Sequence, residues 1–294
     1  MEDKKKIVFS IPDFYHYYGL NMKLIELMEQ HPEYFYDDVK IGSVYGSFPG
    51  CIWNSGRATI GQATYENIVA TVAAFNQKGI SVRHTFTNSQ LQGCHLMDYY
   101  CNHILQITDT GINGCTINLP ILNEHIKKSH PNYYRVWSTT KEAKTVEDVN
   151  KLSADQITVL YYGMNNTDAL DKLEHPENIE VLVSEACIPN CPNRQQHYES
   201  IGKLQLIENS NGGFTCPNGC ESYYYYEMAA KRPHYVTIDD IRDIYLPRGI
   251  YQFKIGGRND SVANVIENYA NYFALPEQKD NVRNRLLNDY FRQN

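Results

Sequence analysis

The 294-residue sequence is as informative in what it lacks as in what it carries. It has no long apolar run. The longest, such as "ITVLYY", suit strands and fall far short of a membrane span. It has no long basic run either, and its formal net charge is −7, which does not indicate an electropositive surface for nucleic acid. No Gly-x-Gly-x-x-Gly turn follows the first apolar run. No Gly-x-Ser-x-Gly elbow, His-Glu-x-x-His helix or phosphate-cradling loop occurs. No internal repeat and no Pro- or Ser-rich linker divides the chain, so one domain over residues 1–294 is the expectation. The opening "MEDKKKIVFSIPDF" has an apolar run too short for a signal peptide, cut by Pro12 and Asp13, and reads as cytoplasmic.

What is present is an alternation of short apolar runs and helix-period segments. Strands are expected at Lys6 to Pro12, Val39 to Gly46, Ser81 to Asn88, Gly114 to Leu119, Tyr134 to Thr140, Gln156 to Gly163, Ile179 to Cys187 and Gly249 to Arg258. Helices are expected between them, among them Asn21 to Gln30, one carrying Tyr65, Ile68, Val69, Val72 and Phe75 on one face, and a closing one with Val262, Val265, Ile266, Tyr269 and Phe273 in register. Thr145 and Asp148 resemble a capping box. Eight strand–helix units predict an α/β fold, a closed (β/α)8 TIM-like barrel. One connection departs from the pattern: a long insertion, about 187–248, separates strands seven and eight.

Barrels of this type place chemistry at the C-terminal ends of their strands. The polar residues there include Asp13, Asn54, Arg57, Asn88, Asn118, Ser138, Thr139, Glu185, Lys254 and Arg258. Arg57 and Arg258, with Lys254, suit a carboxylate or phosphate. Asn54, Asn88 and Glu185 are candidates for orienting it.

The insertion holds "EACIPNCPNRQQHYE" and "TCPNGC", two Cys-x-x-x-Cys pairs formed by Cys187, Cys191, Cys216 and Cys220. In a reducing compartment such thiols point to metal rather than to disulfides. Zinc takes four thiolates, and so does an iron–sulfur cluster; the spacing leaves both open. Cys51, Cys94, Cys101 and Cys115 show no such pattern. Cys115 is expected in the core. His84, His95, His103 and His197 are isolated in sequence.

Three stretches carry a resemblance. "SEACIPNCPNRQQHYE" at the end of the seventh strand, "YVTIDDIRDIYLPRGIYQFKIGGR" leading into the eighth, and "YGSFPGCIWNSGR" after the second resemble the collagenase-like peptidase family (unclassified peptidase family thirty-two). Gly256 stands where that family usually has Glu. The resemblance implies a 4Fe–4S cluster on Cys187, Cys191, Cys216 and Cys220, and oxygen-independent hydroxylation or modification chemistry on RNA bases or quinone precursors. A metallopeptidase-like hydrolase and a non-catalytic, metal-braced partner subunit are the alternatives. The expected ligand is a small-molecule or anionic substrate. An RNA or protein partner stays open, and no membrane is involved.

Overall fold

The computed structural model describes residues 7–57, 59–185, 187, 191–206, 235–258 and 261–293, with the backbone alone at 289 and 291–293. Eight strands, β1 (Ile7–Pro12), β2 (Val39–Gly46), β3 (Ser81–Phe86), β4 (Gly114–Ile117), β5 (Tyr134–Trp137), β6 (Ile157–Val159), β7 (Ile179–Leu182) and β8 (Gln252–Lys254), pair in parallel in chain order. The ring closes where β1 meets β8, with Phe9 opposite Phe253 and Ser10 opposite Lys254. Closure leaves no strand edge exposed, and the connections lay helices over the outside: a (β/α)8 TIM barrel.

Among the described residues the helices are α1 (Tyr18–Gln30), α2 (Tyr65–Gln77), α3 (Tyr99–Ile107), α4 (Pro120–Ser129), α5 (Val146–Ser153), α6 (Thr167–Leu170), α7 (Arg194–Gln205), α8 (Ile238–Asp240, continued by the π turn Ile241–Tyr245), α9 (Val262–Phe273) and α10 (Lys279–Gln293). Several begin at side-chain caps. Thr64, Thr145 and Ser261 accept the backbone N–H of Asn67, Asp148 and Asn264, satisfying donors a helix start leaves open. Thr145 also donates to the Asp148 carboxylate at 2.7 Å, so the expected box is present through a hydroxyl–carboxylate bond.

Strand ends differ from the sequence reading. β6 covers three residues, and β7 and β8 stop at Leu182 and Lys254. The apolar runs continue because burial outlasts the ladder: Val183 and Ile255 are fully buried beyond the paired segments. The chain also ends with α10 rather than with α9. Its described apolar residues buried against the body are Val282 and Leu286, too narrow a stripe to announce a helix by periodicity.

Strand alternation sorts the side chains. Phe9 and Phe253 point outward and meet Phe273, or Tyr245 from the α8 turn, in tilted and edge-on ring contacts. Residues of the other parity fill the barrel, and these are strongly polar: Ser10 bonds Ser43 at 2.8 Å, and Arg83 reaches both carboxylate oxygens of Glu180 at 2.7 Å. β3 and β7 lie half a ring apart, so this pair crosses the interior. Tyr134 lies on Gly114, where a Cβ would meet its ring at 2.4 Å, and its hydroxyl bonds Ser81 at 2.7 Å.

Removing one partner of a buried pair strands the other charge. Arg83→Met is expected to cost about 3–5 kcal/mol in urea unfolding, and the double change Arg83→Met/Glu180→Leu to recover much of that loss. A second expectation concerns His84, which faces outward from β3 among Phe14, Phe48, Phe86 and Tyr133. Burial holds its pKa down at about 3, against 6.5 for the unfolded chain. The unfolded chain therefore takes up a proton that the folded chain refuses. Stability is complete above pH 6.5 and falls as the pH drops toward 3, by up to about 1.4 kcal/mol per pH unit, and His84→Gln flattens that slope in denaturation at stepped pH.

Candidate active site at the barrel mouth

At the C-terminal ends of the strands lies a cavity of about 120 Å³. One wall is hydroxylic, with Thr85, Thr87, Thr116 and Ser138 from the β3, β4 and β5 ends; the other carries Arg57, Lys254 and Arg258. Tyr198 from α7 and Glu185 also line it. The hydroxyls of Thr85 and Thr116 are buried with no hydrogen-bond partner among the described residues, so the cavity presents unused donors and acceptors.

The loop after β2 sets the two arginines. Asn54 is fully buried and works as its hub, accepting from Ser47 Oγ at 2.7 Å and donating to the Arg57 carbonyl at 2.6 Å and Thr59 Oγ1 at 3.0 Å. Its remaining acceptor capacity takes Arg258 Nη1 at 3.2 Å, and Arg258 Nη2 donates to the Ser55 carbonyl at 2.7 Å. Arg57 Nε in turn donates to the Arg258 carbonyl at 3.2 Å. Burial lowers the Arg258 pKa from its usual value. Asn88 uses its amide on the carbonyls of Ile52 and Gly202 and accepts Gln90 N–H, tying the β2 loop to α7. Of the six rim candidates, the structure brings Arg57, Glu185, Lys254 and Arg258 to the cavity. Asn54 and Asn88, expected to orient a ligand, stand behind it and position the loops instead.

Lys254, at the end of β8, lies with Nζ 3.8 Å from the centre of the Tyr45 ring. Burial pushes its pKa down to about 7; Glu180 and Glu185 raise it, Arg83 and Arg258 lower it. Tyr45 is held by donation to the Ile255 carbonyl at 2.7 Å. Gly256 N–H donates to Ser184 Oγ, and a Cβ at Gly256 would meet the Ser184 carbonyl at 2.6 Å, so this backbone excludes the glutamate expected there by resemblance. Asp13, in left-handed conformation at φ 55°, turns its carboxylate to the N–H groups of Tyr15 and His16 and to the His16 ring at 2.9 Å. That hydrogen bond raises the His16 pKa.

Glu185 joins the cavity to the thiol loop. Oε1 accepts the Cys187 N–H at 3.0 Å, and Oε2 accepts from Arg194 Nη2 at 3.3 Å. Arg194 is buried, with Tyr162 and Tyr198 rings each at 5.3 Å, and its Nε and Nη1 have no hydrogen-bond partner among the described residues. Burial pushes the Cys187 thiol up to about 11, the Arg194 guanidinium pulling the other way and Glu185 adding to the rise. Cys191 lines a second cavity of about 370 Å³ with Glu142, Tyr161 and Arg194. Cys216 and Cys220 lie outside the described residues. Among the described residues no three His, Cys, Asp or Glu side chains form a metal-sized group. The sequence reading missed Arg194, Tyr198 and the pairing of Cys51 with Cys101. Those two thiols are buried with Sγ atoms 3.2 Å apart, although fifty residues separate them. Cys115 is in the core as expected.

No family model and no curated protein matches the sequence. Among solved structures, a U32 peptidase aligns over 88% of this chain and 96% of its own with a TM-score of 0.53 at 11% identity, a likeness of fold. A GH113 β-1,4-mannanase aligns over 98% and 99% at 12% identity, with a TM-score of 0.39. No helix among the described residues is long and apolar enough to cross a membrane.

Gly56 is a position where this geometry is exposed to change. Its φ is +82°, and a Cβ would stand 2.6 Å from Arg258 Nη2. Gly56→Ala is expected to cost about 1–3 kcal/mol in thermal unfolding, more than Gly79→Ala, where φ is also positive but the space is open.

Proposed function

We propose that the chain is an iron–sulfur-dependent enzyme of the oxygen-independent hydroxylase or modification type, acting on a small anionic substrate at the barrel mouth. One observation carries this reading: Glu185 lines the substrate-sized cavity and also accepts the Cys187 N–H, so the thiol loop and the cavity share a residue. The described part of the donor set suits a thiolate-held anionic group. Cys187 and Cys191 lie near a buried guanidinium, Arg194, whose Nη1 has no hydrogen-bond partner among the described residues and whose Nε is 3.7 Å from a Glu142 carboxylate oxygen. Such donors stabilise cluster sulfurs. Cys187, Cys191, Cys216 and Cys220 would hold the 4Fe–4S cluster. When bound, it supplies electron transfer or an iron that takes a substrate atom. The chain's own residues do the rest: Arg57 and Arg258 hold the anion, Thr85 and Thr116 hydrogen-bond the reacting end, and Tyr198 and Glu185 cover it from water.

The likeness to a U32 peptidase, together with the three family-like stretches, supports this site and also keeps a metallopeptidase-like hydrolase as second reading. Four thiolates would leave zinc no open position, which is the weakness of that second reading. Anaerobic purification separates the two. Iron and acid-labile sulfide in equal amounts are expected, most of both being lost in Cys187→Ser and Cys191→Ser. Zinc without sulfide would instead support the hydrolase. A metal-loaded chain that unfolds without its metal and in which Arg57→Ala and Arg258→Ala change nothing would mark a metal-braced partner subunit.

A further inference from the structure

Two cations lie inside the same barrel and are treated differently. Arg83 is matched to a carboxylate, with both Glu180 oxygens at 2.7 Å. Lys254 is also buried, at 8% exposure, yet has no ion pair and no hydrogen bond among the described residues; its Nζ lies over the face of the Tyr45 ring. The nearby carboxylates are engaged elsewhere: Glu180 by Arg83, Glu185 by Arg194 and the Cys187 N–H, and Asp13 by His16. A lysine kept for structure would be paired as Arg83 is, because an unpaired buried ammonium is costly. The amine instead lines the mouth cavity at the end of β8, where barrel chemistry is placed.

We propose that Lys254 is a nucleophile that forms a Schiff base with the carbonyl carbon of a small 2-oxo acid or similar carbonyl-bearing anion, whose anionic group lies against Arg57 and Arg258. The inference rests on the anion-binding half of the function proposed above and is independent of the thiolate centre. The neutral amine attacks the carbonyl carbon; the C–N bond forms as the C=O π bond breaks, and a proton passes from nitrogen to oxygen. The carbinolamine hydroxyl takes a second proton from solvent and leaves as water, giving the protonated imine. No oxidant or reductant enters. The unpartnered hydroxyls of Thr85 and Thr116 line the same cavity and can hydrogen-bond the departing oxygen. The charges that face the amine are Glu180 and Glu185 from β7 and the turn after it, Arg83 from β3, and Arg258 after β8, with the Tyr45 ring from β2. With a pKa held near 7, Lys254 presents on the order of a thousandfold more free base at neutral pH than an ordinary lysine.

The test is reductive trapping on the full chain with pyruvate and cyanoborohydride at pH 7, followed by peptide mass mapping. The adduct is expected on Lys254 in preference to every exposed lysine, with labelling that rises to half its maximum near pH 7. It is expected to fall about tenfold or more in Arg57→Ala through loss of a charged hydrogen bond, and to vanish in Lys254→Met. Labelling confined to exposed lysines, or Lys254 labelling as fast with uncharged acetone as with pyruvate, would overturn the proposal. Metal content plays no part in the readout, so a chain without iron and sulfide refutes the cluster while leaving this result intact.

Discussion

The Arg83–Glu180 pair is the constraint around which the interior is arranged. It spans the barrel from β3 to β7, and a charge pair without water must be satisfied nearly completely. Tyr134 stands beside the guanidinium and needs Gly114 beneath its ring. Once Glu180 belongs to Arg83, Lys254 above it has no ion pair among the described residues. The charge balance at the mouth thus follows from how charge is settled one layer below.

A second buried guanidinium, Arg194, organises the other side. Tyrosine faces and the Glu185 carboxylate hold it at the start of α7, where it touches both the mouth and the thiol loop. Glu185 therefore serves two neighbours, and a change in the thiol loop has a direct route to the cavity wall. The arginines of the opposite wall are held by Asn54 and by backbone carbonyls rather than by carboxylates. Their charge is left for a ligand while their geometry is fixed.

The barrel was legible from the chain because parallel strands buried on both faces read as apolar runs and their connecting helices repeat at 3.6 residues. β2 was bounded correctly at Val39 and Gly46, although burial runs on through Ser47 and Phe48. β7 and β8 were read too long, because Val183 and Ile255 stay buried after their ladders end. α10 escaped because its face against the body is narrow. Arg57, Glu185, Lys254 and Arg258, singled out by their position at and after strand ends, line the mouth cavity. Asn54 and Asn88 occupy equivalent positions in sequence and differ only in where their amides point, which no pattern encodes. Arg194 looked like one more charge in a polar loop.

The sequence by itself determined the α/β alternation, the count of eight units, the long β7–β8 connection and the paired-cysteine spacing, all of which are local patterns of hydrophobicity and residue type. Tertiary structure alone decided which polar residues face one another across the ring. Pairing Arg83 with Glu180, leaving Lys254 without a carboxylate among the described residues, bringing Cys51 to Cys101 and setting Glu185 between cavity and thiol loop are matters of closure. Strand order and barrel register bring together side chains that lie tens to hundreds of residues apart in the chain.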